Sequence, residues 1–215
     1  MNMEMSHAYV TSSAVPPDLP PLLRRREPIE HLPESADQVH LEISTRPEDM
    51  PEIRALHAEC FPLNYDDSFF SSVEEHSVKS ILAKYDNRLF GVLVYRTGES
   101  NSLPCGEDVA DYADQVAYLM TLGVAEECRG RGVSSLLLGK AMSMVSDMDG
   151  VYLHVADYNK QAIDIYKHHG FAQVAIKKDF YQIKGKHYGA ITLFKSFRPP
   201  KRRTLLDRFK QWWAT

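Results

Sequence analysis

The sequence predicts a single α/β domain in which one mixed central sheet is flanked by helices. Runs of β-branched and aromatic residues alternate with segments whose apolar residues recur at helical spacing. Strand–helix–strand units lie in the middle of the chain, and hairpin signals flank them on both sides. A chain of 215 residues is long enough for one such core with a tail at each end.

The composition is that of a soluble globular protein, with 44% apolar and 25% charged residues. A formal net charge of −4 argues against a nucleic-acid-binding protein. The three cysteines are far apart and form no CxxC pair, which argues against disulfides and a zinc site and favours a reducing compartment. We expect no transmembrane helix, because no stretch reaches about 18 apolar residues. We expect no secretory signal, because the N-terminus has no basic start followed by an apolar core.

Three segments are expected. Residues 1–38 are rich in proline and lack periodicity, so they are predicted to be disordered. Residues 39–197 carry the folded domain. Residues 198–215 begin with prolines and a basic cluster and form a separate amphipathic helix.

The first half of the domain contains signals for three strands and two helices. The pattern predicts a strand over 39–44 and a helix over 46–60, which has acidic residues early. An aromatic-rich loop over 61–73 leads into a short second helix. The runs "SVKSILAKY" and "LFGVLVYRT" form a hairpin around "DNR", and an acidic loop over 97–114 follows.

The second half alternates strands and helices. Strands are predicted over 116–124 and 151–156, and helices over 132–147 and 159–170. Gly170 closes the last helix at the position where such caps favour glycine. A final hairpin turns through "KGK".

The stretch "CRGRGVSSLLLG" lies between a strand and a helix and concentrates positive charge there. Glycines let backbone amides approach a ligand, and a helix N-terminus carries about half a positive charge. Arg129 and Arg131 add charge from the flanks. The turn therefore predicts a phosphate site, with a plain basic surface turn as the alternative. It matches neither of the common nucleotide-binding glycine patterns.

A second motif, "NKQAIDIYKHHGF", follows about 27 residues later. Together with "RGRGVS" it resembles the GCN5-related N-acetyltransferase (GNAT) superfamily and implies the GNAT fold, with acetyl-CoA as co-substrate and no metal. In that family the turn binds the coenzyme pyrophosphate; here Ser134 replaces its last small residue. The coenzyme-binding residues that the resemblance implies are Leu122, Gly123, Val124, Arg129, Gly130, Arg131, Gly132, Val133, Ser134, Ser135, Asn159 and Tyr166.

Three further stretches, "CFPLNYDDSFF", "QVAYLMTLGV" and "YLHVADYNKQAIDIYKHHGF", resemble the N-terminal (Nα) acetyltransferases. The NatF type is the better match and the NatE type the second, over roughly residues 39–195. The resemblance implies acetyl transfer to α-amines of proteins that keep the initiator Met, by direct attack in a ternary complex. Two alternatives stay open: a lysine (histone-type) acetyltransferase, and an inactive module that binds acetyl-CoA or N-termini.

An amine must lose a proton to attack a thioester, and a free α-amine titrates near 8, against about 10.4 for lysine. An enzyme for N-termini therefore needs only a modest base. The resemblance assigns this work to Tyr118 and His154. A buried core histidine is the alternative for His154, and Tyr118 acts either as a base or by positioning a water. Tyr166 either protonates the leaving thiolate or packs on its helix face.

The resemblance places the peptide pocket at the "FPLNY" loop and after the last helix. Its residues are Phe61, Pro62, Leu63, Tyr65, Phe180 and Tyr181, with Phe180 standing where the family has a tyrosine. The alternative for the loop is an aromatic cap over the core. The adjacent pair His168–His169 makes a poor metal site, because consecutive helical residues do not share a face.

The C-terminal segment has one apolar helical face, next to basic residues. Such a helix is typical of a membrane interface, with packing on the domain or binding to a partner protein as alternatives. The NatF resemblance implies the cytosolic face of a membrane, the Golgi being expected. The apolar face consists of Leu205, Leu206, Phe209, Trp212 and Trp213.

Overall fold

The computed structural model describes residues 31–43 and 45–199. Seven strands form one sheet in the order β1-β2-β3-β4-β5-β7-β6. The strands are β1 (His40–Ile43), β2 (Lys79–Tyr85), β3 (Arg88–Glu99), β4 (Gln115–Val124), β5 (Gly150–Ala156), β6 (Ala172–Ile183) and β7 (Lys186–Ser196). The helices are α1 (Met50–Cys60), α2 (Asp67–Glu74), α3 (Val133–Met144) and α4 (Lys160–His168).

Only the central pair of strands, β4 and β5, runs parallel; every other neighbouring pair is antiparallel. Parallel strands need a crossover, and α3 supplies it. The predicted α/β fold with a mixed sheet is confirmed. None of the described helices is long and apolar enough to cross a membrane.

Helices cover both faces of the sheet, so the central strands are buried on both sides. Side chains of β4 alternate between the two faces. Tyr118 and Met120 pack in the cluster of α1 and α2, whereas Ala117 and Leu119 pack in the cluster of α3. The side chain of Tyr118 therefore points to the α1 face of the sheet, which the sequence alone does not determine.

Both predicted hairpins turn through two residues of positive φ. Asp86 and Asn87 join β2 to β3 with φ values of 48° and 58°, and Lys184 and Gly185 join β6 to β7 with 48° and 78°. Turns of this kind match the twist of the flanking strands, and Asp, Asn and Gly are the residues that tolerate them.

Several predicted boundaries differ from the structure. Helix α1 begins at Met50 rather than at 46, after a short 3-10 turn over Pro47–Asp49, and α2 begins at Asp67, inside the predicted loop 61–73. Helix α3 ends at Met144 rather than at 147, and Val145 is its C-cap with a non-helical φ of −113°. Strand β3 continues to Glu99, since pairing with β4 extends it into the predicted loop. Within the predicted disordered segment, Ala36–Gln38 form a short 3-10 turn. Residues 1–30 and 200–215 lie outside the described residues.

Candidate active site

The two parallel strands diverge, which opens a gap in the middle of the sheet. β4 and β5 pair only over Val116–Leu119 and Gly150–Leu153. A β-bulge leaves Met120 out of register with β3, and bulges bend the strand that carries them. Beyond Leu119, no described strand pairs with the edge of β4 that faces β5. Backbone groups on that edge are therefore placed to bind a ligand.

A cavity continues from this gap to the first turn of α3. The preceding turn passes through Gly130 and Gly132 with φ values of 76° and 84°, which residues with a Cβ rarely adopt. The free amides of the helix N-terminus add a partial positive charge there. Seven residues predicted to bind the coenzyme line this cavity: Leu122, Val124, Arg129, Gly130, Val133, Ser134 and Tyr166. Four other residues of the wall were not predicted to bind the coenzyme: Cys128, Gln161, Ala162 and Ile165.

The two arginines of the turn have different surroundings. Arg129 lines the cavity, and its Nε donates to the carbonyl oxygen of Val124 at 3.2 Å. Arg131 Nη1 donates to the carbonyl oxygen of Pro33 at 2.9 Å, and its Nε to that of Glu127 at 3.4 Å. The structure thus places Arg129 at the cavity and directs Arg131 toward backbone carbonyls.

Three other predicted coenzyme residues lie just outside the cavity lining. The hydroxyl of Ser135 lies 3.1 Å from Nε2 of His169. Gly123 packs so closely under α1 that a Cβ there would lie 3.1 Å from the side chain of Cys60. Gly132 forms the N-cap of α3.

Asn159 offers a direct test of whether the residues present fit the coenzyme. Its side chain is 2% exposed, and its Oδ1 caps α4 by accepting from the backbone N–H of Ala162 at 3.2 Å. Its Nδ2 is buried and has no hydrogen-bond partner among the described residues. A buried donor without an acceptor destabilises the protein, so the site fits a ligand that brings a carbonyl oxygen. The amide-rich arm of a coenzyme A molecule has that chemistry.

The structure brings the two predicted catalytic residues, Tyr118 and His154, into contact. Both side chains are fully buried, and Nδ1 of His154 lies 3.2 Å from the Tyr118 hydroxyl. The parallel register sets this contact, because Tyr118 is opposite Tyr152 and His154 follows two residues later on the same face.

Asp108 is a third member of this group that the sequence analysis missed. It lies in the acidic loop between β3 and β4, with Oδ2 3.8 Å from Nε2 of His154, a distance longer than a direct hydrogen bond. Thr192 donates to Oδ2 at 2.7 Å, and Lys177 contacts Oδ1 at 2.8 Å. The only sequence signal was the acidic character of the loop.

The charges of this group follow from their surroundings. Burial by itself would raise the pKa of Asp108, but His154, Lys177 and Thr192 outweigh it and hold the pKa at about 2. Burial lowers the pKa of His154, and Asp108 opposes this only in part. At neutral pH the site therefore holds an ionised Asp108 beside a neutral His154.

An ionised carboxylate near Nε2 favours the tautomer that carries its proton on Nε2. The lone pair of His154 Nδ1 then accepts the hydrogen bond from Tyr118 O–H, an assignment inferred from the heavy-atom positions. This arrangement can draw a proton through Tyr118 toward His154, with Asp108 stabilising the positive charge that develops.

The ring of Phe180 packs directly against the imidazole of His154. Its ring stacks on His154 with the centroids 4.6 Å apart and an interplanar angle of 24°. The register of β6 and β7 breaks between Lys177 and Tyr181, and the bulge includes Asp179 at a φ of 52°. Such bulges re-aim side chains near active sites.

The predicted peptide pocket divides into buried and partly exposed residues. Phe61 and Tyr181 are buried in the core, which agrees with an aromatic cap. Three others lie partly buried at the edge of the same cluster, where a peptide can reach them: Leu63, Tyr65 and Phe180. Pro62 is also partly exposed. Among the described residues, no three His, Cys, Asp or Glu side chains are grouped to hold a metal ion.

Comparison with known proteins agrees with this geometry. The acetyltransferase (GNAT) family matches residues 50–171. Histone acetyltransferase MCC1 of Arabidopsis thaliana is 28% identical over 172 residues, which cover 67% of this chain and 64% of the relative. N-alpha-acetyltransferase 60 of Xenopus tropicalis is 30% identical over 156 residues, with the same two coverages of 67% and 64%. This chain therefore spans slightly less than two thirds of these relatives' lengths.

A solved structure extends the likeness to three dimensions. Arabidopsis thaliana Naa50 in complex with the bisubstrate analogue CoA-Ac-MVNAL superposes with a TM-score of 0.61 at 26% identity. The match covers 74% of this chain and 99% of the Naa50 chain. The family match over residues 50–171 shows that this chain belongs to the acetyltransferase (GNAT) family, and the diverging strands and the glycine turn agree with it.

Proposed function

We propose that this protein transfers the acetyl group of acetyl-CoA to the α-amine of protein N-termini, in particular those that retain the initiator Met. One observation carries the proposal: the buried group of Tyr118, His154 and Asp108 lies on the same face of the sheet as the aromatic "FPLNY" loop. The N-alpha-acetyltransferase names of the relatives support it, as does the Met-starting peptide bound by Naa50.

The coenzyme is held by charge at one end and by hydrogen bonds at the other. Arg129 and the first amides of α3 bind the pyrophosphate, as expected for an anion at a helix N-terminus. Asn159 Nδ2 donates to a carbonyl oxygen of the pantetheine arm. Leu122 and Val124 present the backbone of β4 to the same arm.

Transfer proceeds by direct attack in a ternary complex. The amine nitrogen forms a bond to the thioester carbonyl carbon, and the carbon–sulfur bond breaks with its electron pair on sulfur. The amine proton leaves toward Tyr118 and His154, and the thiolate takes a proton, for which Tyr166 is the candidate donor in the cavity wall. Cys128 lies beside the phosphate turn, so it is a poor acyl carrier.

Lysine acetylation is a second candidate, favoured by the likeness to a histone acetyltransferase. A lysine amine titrates about 2.5 units above an α-amine, so its deprotonation costs roughly 3 kcal/mol more. An α-amine therefore needs a weaker base than a lysine amine does, and a neutral, buried histidine can meet that smaller requirement.

Acetyl transfer to a small peptide panel tests the proposal. The panel holds Met-Lys, Met-Ala and Ser-Ala starts and one N-blocked peptide with an internal lysine, and His154→Ala is the inactive control. We expect transfer to the Met-starting peptides alone. Transfer only to the blocked peptide would instead establish the lysine enzyme. Coenzyme binding without transfer to any peptide would establish a binding module.

We also propose that residues 198–215 attach the protein to the cytosolic face of a membrane, with the Golgi as the expected site. Residues 200–215 of this segment lie outside the described residues. The proposal depends on the sequence pattern, in which five large apolar side chains share one helical face beside basic residues.

A further inference from the structure

His57 is a fully buried imidazole that the acetyl-transfer chemistry does not use. It lies on α1, on the same side of the sheet as Tyr118 and one helical turn before the "FPLNY" loop begins at Phe61. A histidine in an apolar core needs a reason, because burying a polar ring without hydrogen bonds destabilises the fold.

Both ring nitrogens of His57 have partners, and together they define its tautomer. Nδ1 lies 2.9 Å from the carbonyl oxygen of Ile53, which only accepts, so Nδ1 carries the proton. Nε2 then accepts from the hydroxyl of Thr121 at 3.3 Å. Burial lowers the pKa of His57 to about 4, so the ring is neutral at physiological pH.

The Thr121 contact ties α1 to the functional part of β4. Thr121 is fully buried and comes directly after the bulge at Met120, where the strand bends away from β5. Through His57, the position of α1 is thus linked to the strand segment that borders the coenzyme gap.

The faces and edges of the same ring support the aromatic loop. The centroid of His57 lies 5.3 Å from that of Phe61 and 5.2 Å from that of Tyr65. Phe69 and Phe70 of α2 contact it at 5.2 and 5.6 Å. These distances are those of favourable aromatic pairs, so the ring of His57 packs against both the loop and the helix that follows it.

We propose that His57 is a positioning residue of the peptide pocket, which holds Phe61 and Tyr65 in place by ring packing while its hydrogen bond to Thr121 anchors the loop to β4. This inference rests on the proposed function, since it concerns the same peptide site. A phenylalanine would supply the ring but leave the Thr121 hydroxyl buried without its acceptor. A glutamine would supply the acceptor but not the ring.

The contacts of His57 also indicate which of the two substrates should bind more weakly when the imidazole is lost. His57 contacts the loop, α2 and Thr121, and none of these partners lines the coenzyme cavity. Loss of the imidazole should therefore weaken peptide binding and leave acetyl-CoA binding unchanged.

Steady-state kinetics of His57→Ala with a Met-starting peptide test this. We expect the peptide KM to rise about tenfold, while kcat and the KM of acetyl-CoA stay within about twofold. His57→Phe and His57→Gln should each recover part of the peptide KM, because each restores one of the two kinds of contact. Amide hydrogen exchange over residues 61–65 should accelerate in His57→Ala, a readout that needs no activity.

The matched control is Leu93→Ala, which empties a fully buried position in the cluster on the opposite face of the sheet. An equal rise in peptide KM in this control, at a similar loss of Tm, would reduce His57 to general stability and overturn the proposal. An unchanged loop exchange rate in His57→Ala would overturn it as well. If the wild type acetylates no N-terminal peptide, the proposed function fails, and loop exchange still decides whether His57 positions the loop.

Discussion

Asp108 reaches the imidazole of His154 from a loop, whereas Tyr118 and His154 lie on adjacent strands. Two side chains from the C-terminal hairpin hold its carboxylate: Thr192 of β7 through Oδ2 and Lys177 of β6 through Oδ1. The carboxylate favours one tautomer of the ring and stabilises its charged form. In the proposed mechanism, Asp108 orients the group that receives the proton.

Replacing Asp108 by Asn should lower kcat by about tenfold or more, because the neutral amide no longer selects the tautomer of His154. The acid limb of the kcat/KM profile should also move to lower pH. Asp108 raises the pKa of His154 against the effect of burial, so its removal lets that pKa fall further. A pH–rate profile of the Met-peptide reaction measures both effects.

The double variant Asp108→Asn with His154→Ala supplies the control. Once the imidazole is gone, the Asp108 substitution should have little additional effect on kcat. Additive losses would mean that Asp108 acts independently of His154, and the orienting role would be wrong.

Among the residues of the candidate site, Tyr118 and His154 could be predicted from the family resemblance, because both lie in regular strands with specific flanking residues. Asp108 could not be selected from its acidic loop. Its position depends on contacts with Lys177 and Thr192, which lie far along the chain.

Among the elements, the glycine turn and α3 form the proposed anion site, and the structure gives different surroundings to the two arginines that the sequence treated alike. Arg129 lines the cavity, whereas Arg131 donates to the carbonyls of Pro33 and Glu127. Local pattern predicted the turn because a strand, a glycine pair and a helix follow one another. Which arginine faces the cavity depends on the N-terminal segment that packs beside it.

Arg129→Glu should weaken coenzyme A binding by about tenfold or more, since a carboxylate then faces the pyrophosphate. Isothermal titration calorimetry of the two variants Arg129→Glu and Arg131→Glu makes the comparison. We expect the smaller loss for Arg131→Glu. Equal affinities for Arg129→Glu and the wild type would place the phosphate elsewhere.

The order and type of the elements were predictable because their hydrophobic periods are strong. The two irregularities that shape the site were not. The bulge at Met120 and the one between Lys177 and Tyr181 interrupt strands whose alternation reads as continuous. A bulge adds one residue or two to a pattern of period two, and several neighbouring apolar residues conceal the change.

For the molecule as a whole, charge and apolar surface are distributed unequally. The net charge is −4, yet the C-terminal segment joins four basic residues over 198–203 to apolar residues at helical spacing. A catalytic domain that repels an anionic surface can still be held there by such a tail. Large side chains in a membrane interface contribute roughly 1.5–3 kcal/mol each before ordering costs.

Changing both Trp212 and Trp213 to Asp should move the protein from the liposome pellet to the supernatant, because each substitution exchanges an interfacial anchor for a negative charge. Acetylation of a soluble peptide should be unaffected. Sedimentation with vesicles that contain anionic lipid measures the first effect. Retained pelleting would show that another surface attaches the protein.

The pairing between β4 and β5 ends after Leu119 and Leu153, so the two central strands of the sheet are not hydrogen-bonded to each other beyond these residues. On the proposed function, a coenzyme molecule bound there would add its binding free energy to the stability of the native state. At a hundredfold excess over Kd, this would amount to about 2.7 kcal/mol. The proposed co-substrate would thereby also act as a folding ligand, so we expect the free energy of unfolding to rise with the concentration of coenzyme A.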